Sequence, residues 1–370
     1  MTAKRSRDPV ATGERSGPIS RPNLFRAEEL NYRQVRTLNP ERTIAFLPVS
    51  ALEVHGPHLP LGMDLFMARW TADETGRRFA DAHPDWTAVL FPPLTLGTDE
   101  LALPGSMNAT ARELYRVVMA HAASLAHAGY RYVVVTNGHN GPRHASGLEA
   151  ACRAASRRYG IAMFTPSIAI FLALLRGDRF QALEALLGRS LTPEERAGIL
   201  SGDHAATVET SFVLAERPDL VDPIYRQLGP VSPPPFRPLT LLARPIVSLL
   251  GRGGNSERRQ RLQEFVDGMA ISLGWLLNNR FGYGGPEVTY MGNPSVASVE
   301  LGQAIRRLVV DDCLAVVEKV VRGELRPEEV RSTASDPIIL HPLFLRRLVL
   351  AVAALAAVLI MLRQWLRRQD

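Results

Sequence analysis

The sequence predicts an α/β fold built on a mostly parallel sheet covered by helices on both faces. Two observations predict it. Short apolar runs closed by Pro or Gly alternate with longer amphipathic stretches through the middle of the chain, and a strand, helix, strand order repeated in this way needs helical crossovers that lie over the sheet. The polar, chemistry-bearing residues also collect just after the apolar runs, which is where ligands gather in parallel sheets, at the carboxyl ends of the strands.

The elements follow in order. "TIAFLPVS" (43–50), "TAVLFPPL" (87–94), "RYVVVTNG" (131–138) and "GIAMFTP" (160–166) read as buried strands, rich in β-branched or aromatic residues. Between them, "DLFMARWTADETGRRFADA" (64–82), "ARELYRVVMAHAASLAHAG" (111–129) and "RHASGLEAACRAASRRYG" (143–160) carry helical patterns. An apolar stretch opens the segment 166–200, and a helix follows that is announced by Thr192, Pro193 and Glu195, a capping-box start. The Pro-rich segment 229–254 reads as an inserted loop of low order. Amphipathic helices at about 256–279 and from Ser298 to Arg322 close the domain.

The chain has 370 residues, 46% of them hydrophobic, enough for one large core. We expect a disordered tail at 1–23, one catalytic domain at 24–325, a linker at 326–342, and a hydrophobic, basic-flanked helix at 343–370. Residues 1–22 lack the apolar core of a signal peptide. Cys152 and Cys313 are the two cysteines, without CxxC spacing, which argues against a disulfide framework and a thiolate metal site and fits a cytoplasmic setting. Lys plus Arg number 43 against 37 for Asp plus Glu, with much of the excess at the two ends. No basic face interleaved with aromatic residues accompanies it, so nucleic acid is not an expected partner. The run Leu348–Leu362 is fifteen apolar residues bounded by Arg346, Arg347 and Arg363. A bilayer core asks for about 20, and snorkelling arginines with Trp365 extend the reach. Membrane contact through 343–370 is the expectation; a buried helix or an oligomer contact is the alternative.

The chemistry concentrates in three clusters. "EVHGPHLPLGMD" (53–64) supplies Glu53, His55, His58 and Asp64. "NGHNG" (137–141) supplies Asn137, His139 and Asn140. "GDHAATVETS" (202–211) supplies Asp203, His204 and Glu209. Hydrolytic metal sites combine imidazole nitrogen with carboxylate oxygen and keep a position for water. Surface histidines and aspartates also occur in loops without function, but three such clusters, each after a strand or at the opening of a helix, favour a metal site.

These motifs carry a family resemblance. "LPVSALEVHGPHLPLGMD" (47–64) resembles the signature of the creatininase family of metal-dependent amidohydrolases. "NGHNG" is similar to its Asn-Gly-His turn, "HAATVETSFVLAERPDLVD" (204–222) to its His…Glu-Thr-Ser block, and "GNPSVASVELGQ" (292–303) to its closing segment. The resemblance spans about residues 24–322, in family order. It implies a three-layer α/β/α sandwich, a homo-oligomer, and one or two divalent ions (Zn, Mn or Fe) whose activated water cleaves a C–N bond of a small amide, cyclic amide or formamide. By that resemblance Glu53, His55, Asp64 and His139 are metal ligands, with Asp64 in the bridging place. His204 is the proton shuttle, and Glu209 is a catalytic residue that also reaches metal. His58, Asp203, Asn137 and Asn140 then support the ligands or the substrate.

Departures from the pattern matter. Creatinine-cleaving members carry Glu where this chain has Gly141, and a pocket tryptophan where it has Leu200 and Ser201. Leu101, Leu103–Ser106, Val54 and Ser50 reshape the substrate loop and its surroundings. Creatinine is therefore not the expected substrate, and with Gly141 in place of a carboxylate ligand either Glu209 compensates or the second metal is weak or absent. A deformylase, a peptidase of a mycofactocin-type cofactor-maturation pathway, and a non-catalytic membrane-tethered binding module on the same scaffold are the alternatives.

Overall fold

A computed structural model describes residues 23–250, 263, 266–267, 270–271, 273–275, 277–278, 288–333 and 341–343. Its centre is a six-stranded parallel sheet. In chain order the strands are β1 (Leu24–Arg26), β2 (Thr43–Ser50), β3 (Thr87–Leu90), β4 (Leu94–Thr95), β5 (Tyr132–Thr136) and β6 (Ala162–Phe164). They lie in the order β1-β3-β2-β5-β6, with β4 continuing the pairing on β2. All registered pairs are parallel, as in Ala45↔Val89 and Ala45↔Val133.

The central strand β2 is buried at every one of its eight positions, which is why it reads as a continuous apolar run. Successive side chains leave a strand on opposite faces. Ala45, Leu47 and Val49 therefore pack with Leu114, Val118 and Ala122 of α3 (Ala111–His127) and Leu148 and Ala151 of α4 (Pro142–Tyr159). Ile44 and Phe46 join Ala72 and Phe79 of α2 (Met63–Ala82) and Val317 and Val320 of a long helix, Val299–Val321, named α10 below. Helix, sheet and helix make the three-layer α/β/α sandwich expected from the sequence.

A third apolar cluster stands apart from the sheet. It joins α5 (Ser167–Leu175), α6 (Phe180–Leu187), α7 (Pro193–Leu200) and α8 (Thr207–Glu216) to α10 through Phe171, Leu183, Ile199, Phe212 and Ile305. The capping box expected at Thr192 is present, with Glu195 N–H on Thr192 Oγ1 and Thr192 N–H on Glu195 Oε2. A short α1 (Tyr32–Thr37) precedes β2.

The structure adds elements to the sequence reading and changes one expectation. Strand β1 escapes the sequence reading, because three residues carry too little period to detect. The apolar stretch after residue 166 is helix α5. The Pro-rich 229–254 segment holds a helix, α9 (Arg237–Leu250); Pro233–Pro235 precede it, Pro238 stands in its first turn where no intrahelical N–H bond is lost, and Pro245 lies inside it and removes one bond. Part of the amphipathic segment 256–279 lies outside the described residues, and the described ones from 263 to 278 are helical. Val330 and Ser332, in the expected linker, are buried, and Ser332 N–H donates to Glu149 Oε1 at 2.7 Å. The tail 1–22 and the apolar run 348–362 lie outside the described residues. Among the described residues no helix is long and apolar enough to cross a membrane.

Candidate metal centre

Strands β2 and β5 are adjacent and parallel, with Pro48 opposite Thr136, so the loops that leave their carboxyl ends emerge side by side. Ser50, the last residue of β2, ties them together. Its Oγ accepts the N–H groups of Gly138 and His139, both at 3.2 Å, and donates to Asn137 Oδ1 at 3.2 Å. Asn137 Oδ1 also accepts from His139 N–H at 3.1 Å and from His144 Nε2 at 3.0 Å. The turn that carries His139 is thus fixed before its side chain is considered.

Two carboxylates come from helix starts. Asp64 lies in the first turn of α2 and Glu209 in the first turn of α8, where unpaired N–H groups and the helix dipole favour negative charge. Asp203 secures the second start, accepting Val208 N–H at 3.1 Å and Glu209 N–H at 2.9 Å. Burial, despite those two bonds, pushes Asp203 up to about 7.

Asp64 joins the two halves of the site. Its Oδ1 is 3.3 Å from His55 Nε2, and its Oδ2 is 3.3 Å from His139 Nδ1. Glu53 Oε2 approaches the same His139 nitrogen at 3.1 Å, and Glu209 Oε2 approaches His55 Nε2 at 3.5 Å. The ligand atoms therefore form compact groups, Glu53 with Asp64 and His139, and His55 with Asp64 and Glu209, each within 4.8 Å. A third group, Glu53 with His55 and His204, meets the same limit. All six side chains are buried.

The outer ring nitrogens settle the tautomers. His139 Nε2 meets the Thr98 carbonyl at 3.0 Å and His55 Nδ1 meets the Glu53 carbonyl at 3.0 Å. A carbonyl accepts and never donates, so both outer nitrogens carry hydrogen. In the neutral rings the inner nitrogens are then lone pairs facing carboxylates, acceptor against acceptor. Glu53 Oε2, His55 Nε2 and both Asp64 oxygens have no hydrogen-bond partner although buried. Such an arrangement is balanced by an added positive charge, a proton on each ring or a metal cation. Without a cation the protons stay: against the opposing effect of burial, Asp64, Glu209 and Glu53 lift His55 to about 10, and Glu53 and Asp64 lift His139 well above its ordinary value. Against burial, the neighbouring histidines hold Asp64 and Glu53 below the usual carboxylate range. Glu209 moves the other way, raised by burial and by Asp203. Mixed imidazole and carboxylate donors around orphaned polar atoms fit a divalent ion.

His204 stands beside this cage. Its ring stacks on His55 with centroids 4.3 Å apart and planes 24° apart, and its Nε2 meets the Val54 carbonyl at 2.8 Å. Burial, then the charge on His55, brings its pKa down to about 4. His58, by contrast, joins no ligand group. Its Nε2 contacts Thr210 Oγ1 at 2.9 Å, and burial followed by His55 brings it down to about 4. It fastens the first motif to α8. Asn140 is half-buried, its Nδ2 reaching the Gly138 carbonyl at 3.4 Å.

A profile of the creatininase family, described as creatinine amidohydrolase, matches residues 28–317. The chain belongs to the creatininase family. Among curated proteins none matches it in sequence. Among solved structures, a creatinine amidohydrolase (creatininase) is 20% identical, covers 81% of this chain and 98% of its own, and superposes with a TM-score of 0.52. A creatininase described with Mn gives 20% identity, 80% and 98% coverage and a TM-score of 0.52. A putative creatinine amidohydrolase from Bacteroides fragilis NCTC 9343 gives 17% identity, 80% and 96% coverage and a TM-score of 0.51. At these identities the likeness speaks for the fold.

Three residues close to the ligand groups escape sequence reasoning. His144 orients Asn137, and its ring meets His139 edge-on at 4.9 Å. Trp275, half-buried, meets His204 edge-on at 4.6 Å while its Nε1 donates to the Val288 carbonyl at 2.8 Å. Glu100 is buried near His139 and Glu53. None stands in a recognisable spacing. Leu101, read as a pocket-shaping change, is buried and gives its N–H to Glu53 Oε1 at 2.6 Å.

Proposed function

We propose that this creatininase-family chain is a metal-dependent amidohydrolase that cleaves a C–N bond of a small amide, cyclic amide or formamide. The observation that carries the reading is Asp64, one carboxylate offering an oxygen to each of two imidazole nitrogens that also face Glu53 and Glu209. Glu53, Asp64 and His139 would hold one divalent ion, and His55, Asp64 and Glu209 a second. Bound there, zinc, manganese or iron supplies the Lewis acidity that brings a water toward ionisation near neutral pH.

The protein's own groups do the rest. His204 is neutral at working pH and its Nε2–H is committed to the Val54 carbonyl, so Nδ1 carries the free lone pair. That nitrogen accepts the proton of the attacking water and returns it to the leaving nitrogen as the C–N bond breaks and the C–O bond forms. The buried surroundings keep bulk water from competing for that proton. The half-buried Trp275 ring beside His204 favours a substrate with a flat or apolar portion.

We infer further that the chain works as a cytoplasmic homo-oligomer and touches the membrane through 343–370. Deleting 343–370 should then move it out of the membrane fraction with activity kept. The functional test is a screen of formamides, lactams and short peptides against protein loaded with Mn2+, Zn2+ or Fe2+. Hydrolysis that requires the metal supports the reading. Metal content near zero that cannot be restored would favour the non-catalytic binding module, and turnover of short peptides alone the maturation peptidase.

A further inference from the structure

Glu100 is 1% exposed, and neither of its carboxylate oxygens meets a hydrogen-bond donor from another residue. The loop around it is nonetheless firmly held. Asn108 Nδ2 donates to the Glu100 carbonyl at 3.1 Å, Leu101 N–H donates to Glu53 Oε1 at 2.6 Å, and the Thr98 carbonyl receives His139 Nε2–H at 3.0 Å. The carboxylate rests on Gly97, where a Cβ would stand 1.9 Å from Oε1 and 2.7 Å from the Ala51 Cβ. The chain thus keeps one position free of any side chain to house a carboxylate that the protein itself leaves unpartnered. A buried polar group in that condition points to a partner outside the protein.

Its surroundings show what that partner compensates. Burial pushes Glu100 up to about 7; His139 and the residue's own backbone N–H favour its charge, while Glu53 and Asp99 oppose it. The cage holds three carboxylates, Glu53, Asp64 and Glu209, whereas two divalent ions carry four positive charges. A fourth carboxylate cannot come from the His139 turn. A Cβ on Gly141 would stand 2.7 Å from His139 Nε2, 2.7 Å from the Asp99 Cβ and 3.0 Å from the Thr98 carbonyl oxygen. The 98–100 loop fills the space through which a longer side chain would run, and it brings a carboxylate of its own.

We propose that Glu100 supplies the fourth negative charge of a two-cation centre, from outside the cage of direct ligands, in place of a carboxylate that the loop beside Gly141 excludes. The proposal rests on the metal-centre reading above. Glu100 belongs to none of the groups whose ligand atoms lie within 4.8 Å of one another, so it is a positioning residue that acts through its charge and through hydrogen bonds to whatever the ions hold.

The test uses full-length protein stripped of metal and titrated with Mn2+, with bound ion counted by elemental analysis and free ion by electron paramagnetic resonance. The variant Glu100→Gln keeps the shape and removes the charge. Wild type should bind two Mn2+ per chain. Glu100→Gln should keep the first and bind the second about 10–100-fold more weakly, while its metal-free Tm equals or exceeds that of wild type because an unpartnered carboxyl is gone. Gly97→Ala, which displaces the carboxylate without altering charge, should weaken the same second ion. Two ions bound to Glu100→Gln with wild-type affinity would overturn the proposal, as would a wild type that saturates at one ion or a Glu100→Gln protein whose metal-free Tm falls. If wild type takes up no Mn2+, Zn2+ or Fe2+ at all, the metal-centre reading itself fails, and Glu100 with it.

Discussion

His204 lies flat against His55, their ring centroids 4.3 Å apart and their planes 24° apart, yet the two rings have opposite electrostatic fates. His55 faces Asp64 and Glu209 and is lifted to about 10, whereas burial and the neighbouring His55 charge bring His204 down to about 4. In the reading proposed above, one ring sits against a cation and the other stays a neutral base. Replacing His204 by Ala should therefore leave metal content within error of wild type and lower kcat by about 100-fold or more, the usual scale for a lost general base. Elemental analysis beside turnover on the best substrate of the screen checks both halves, and loss of metal would mean that His204 is a ligand.

Asp64 makes the contrasting case. Removing it takes an oxygen from both ligand groups at once, so Asp64→Ala should lose both ions and all hydrolysis. Asp64→Asn retains the shape with half the donor capacity and should hold less metal than wild type. Metal retained at two equivalents in Asp64→Ala would refute the shared role.

Much of this arrangement was legible in the sequence, for a physical reason. Imidazoles and carboxylates beside Gly and Pro at the ends of apolar runs mark loops at the carboxyl edge of a parallel sheet, so Glu53, His55, Asp64, His139, His204 and Glu209 stood out, and the structure brings their side chains together. Hydrophobic patterning places β2 at its observed ends, Thr43–Ser50, and α2, α3 and α4 to within two residues. What stayed hidden works through distance rather than spacing. Glu100 follows Asp99 in a loop that carries no ligand spacing, and its burial is visible only in the fold. Trp275 reaches His204 from a segment more than sixty residues away, and the role of Gly141 appears once the 98–100 loop is seen filling the space beside it.

Metal uptake should depend on pH in a defined direction. Without metal, His55 keeps its proton up to about 10, and His139 titrates well above its ordinary value. Each ion must displace the proton on the ring it meets, so apparent Mn2+ affinity should rise steadily between pH 6 and 9. Calorimetry in two buffers of different ionisation enthalpy should show at least one proton released per ion, the raised Glu209 adding to the release at the second. The linked stability has the opposite slope. A raised histidine pKa stabilises the metal-free fold fully below about 6.5, the unfolded value, and that contribution fades as pH rises toward 10. Mn2+ should consequently raise Tm more at pH 9 than at pH 6, and a constant Tm increment across that range would contradict the proton count.

The first turn of α8, which carries Glu209, is held from behind by α10. Ser298 N–H donates to Ser211 Oγ at 3.1 Å, and Ser298 caps α10 by accepting Leu301 N–H at 3.1 Å. Gly302 then passes so near α8 that a Cβ there would stand 1.9 Å from the Ser211 carbonyl oxygen and 2.5 Å from its carbon. Those are backbone atoms inside a helix and cannot step aside as a flexible side chain would. Gly302→Ala must push the two helices apart, although alanine is the better helix former. Overpacking of this kind costs about 1–3 kcal/mol, more than the gain of about 1 kcal/mol from propensity, so the variant should unfold at lower urea than wild type. Because the displaced helix is the one that presents Glu209, the same variant should bind the ion held by His55, Asp64 and Glu209 more weakly and spare the ion held by Glu53, Asp64 and His139. A Gly302→Ala protein as stable as wild type, with both ions bound normally, would show that α8 is positioned by its own cap at Asp203 and not by its packing on α10.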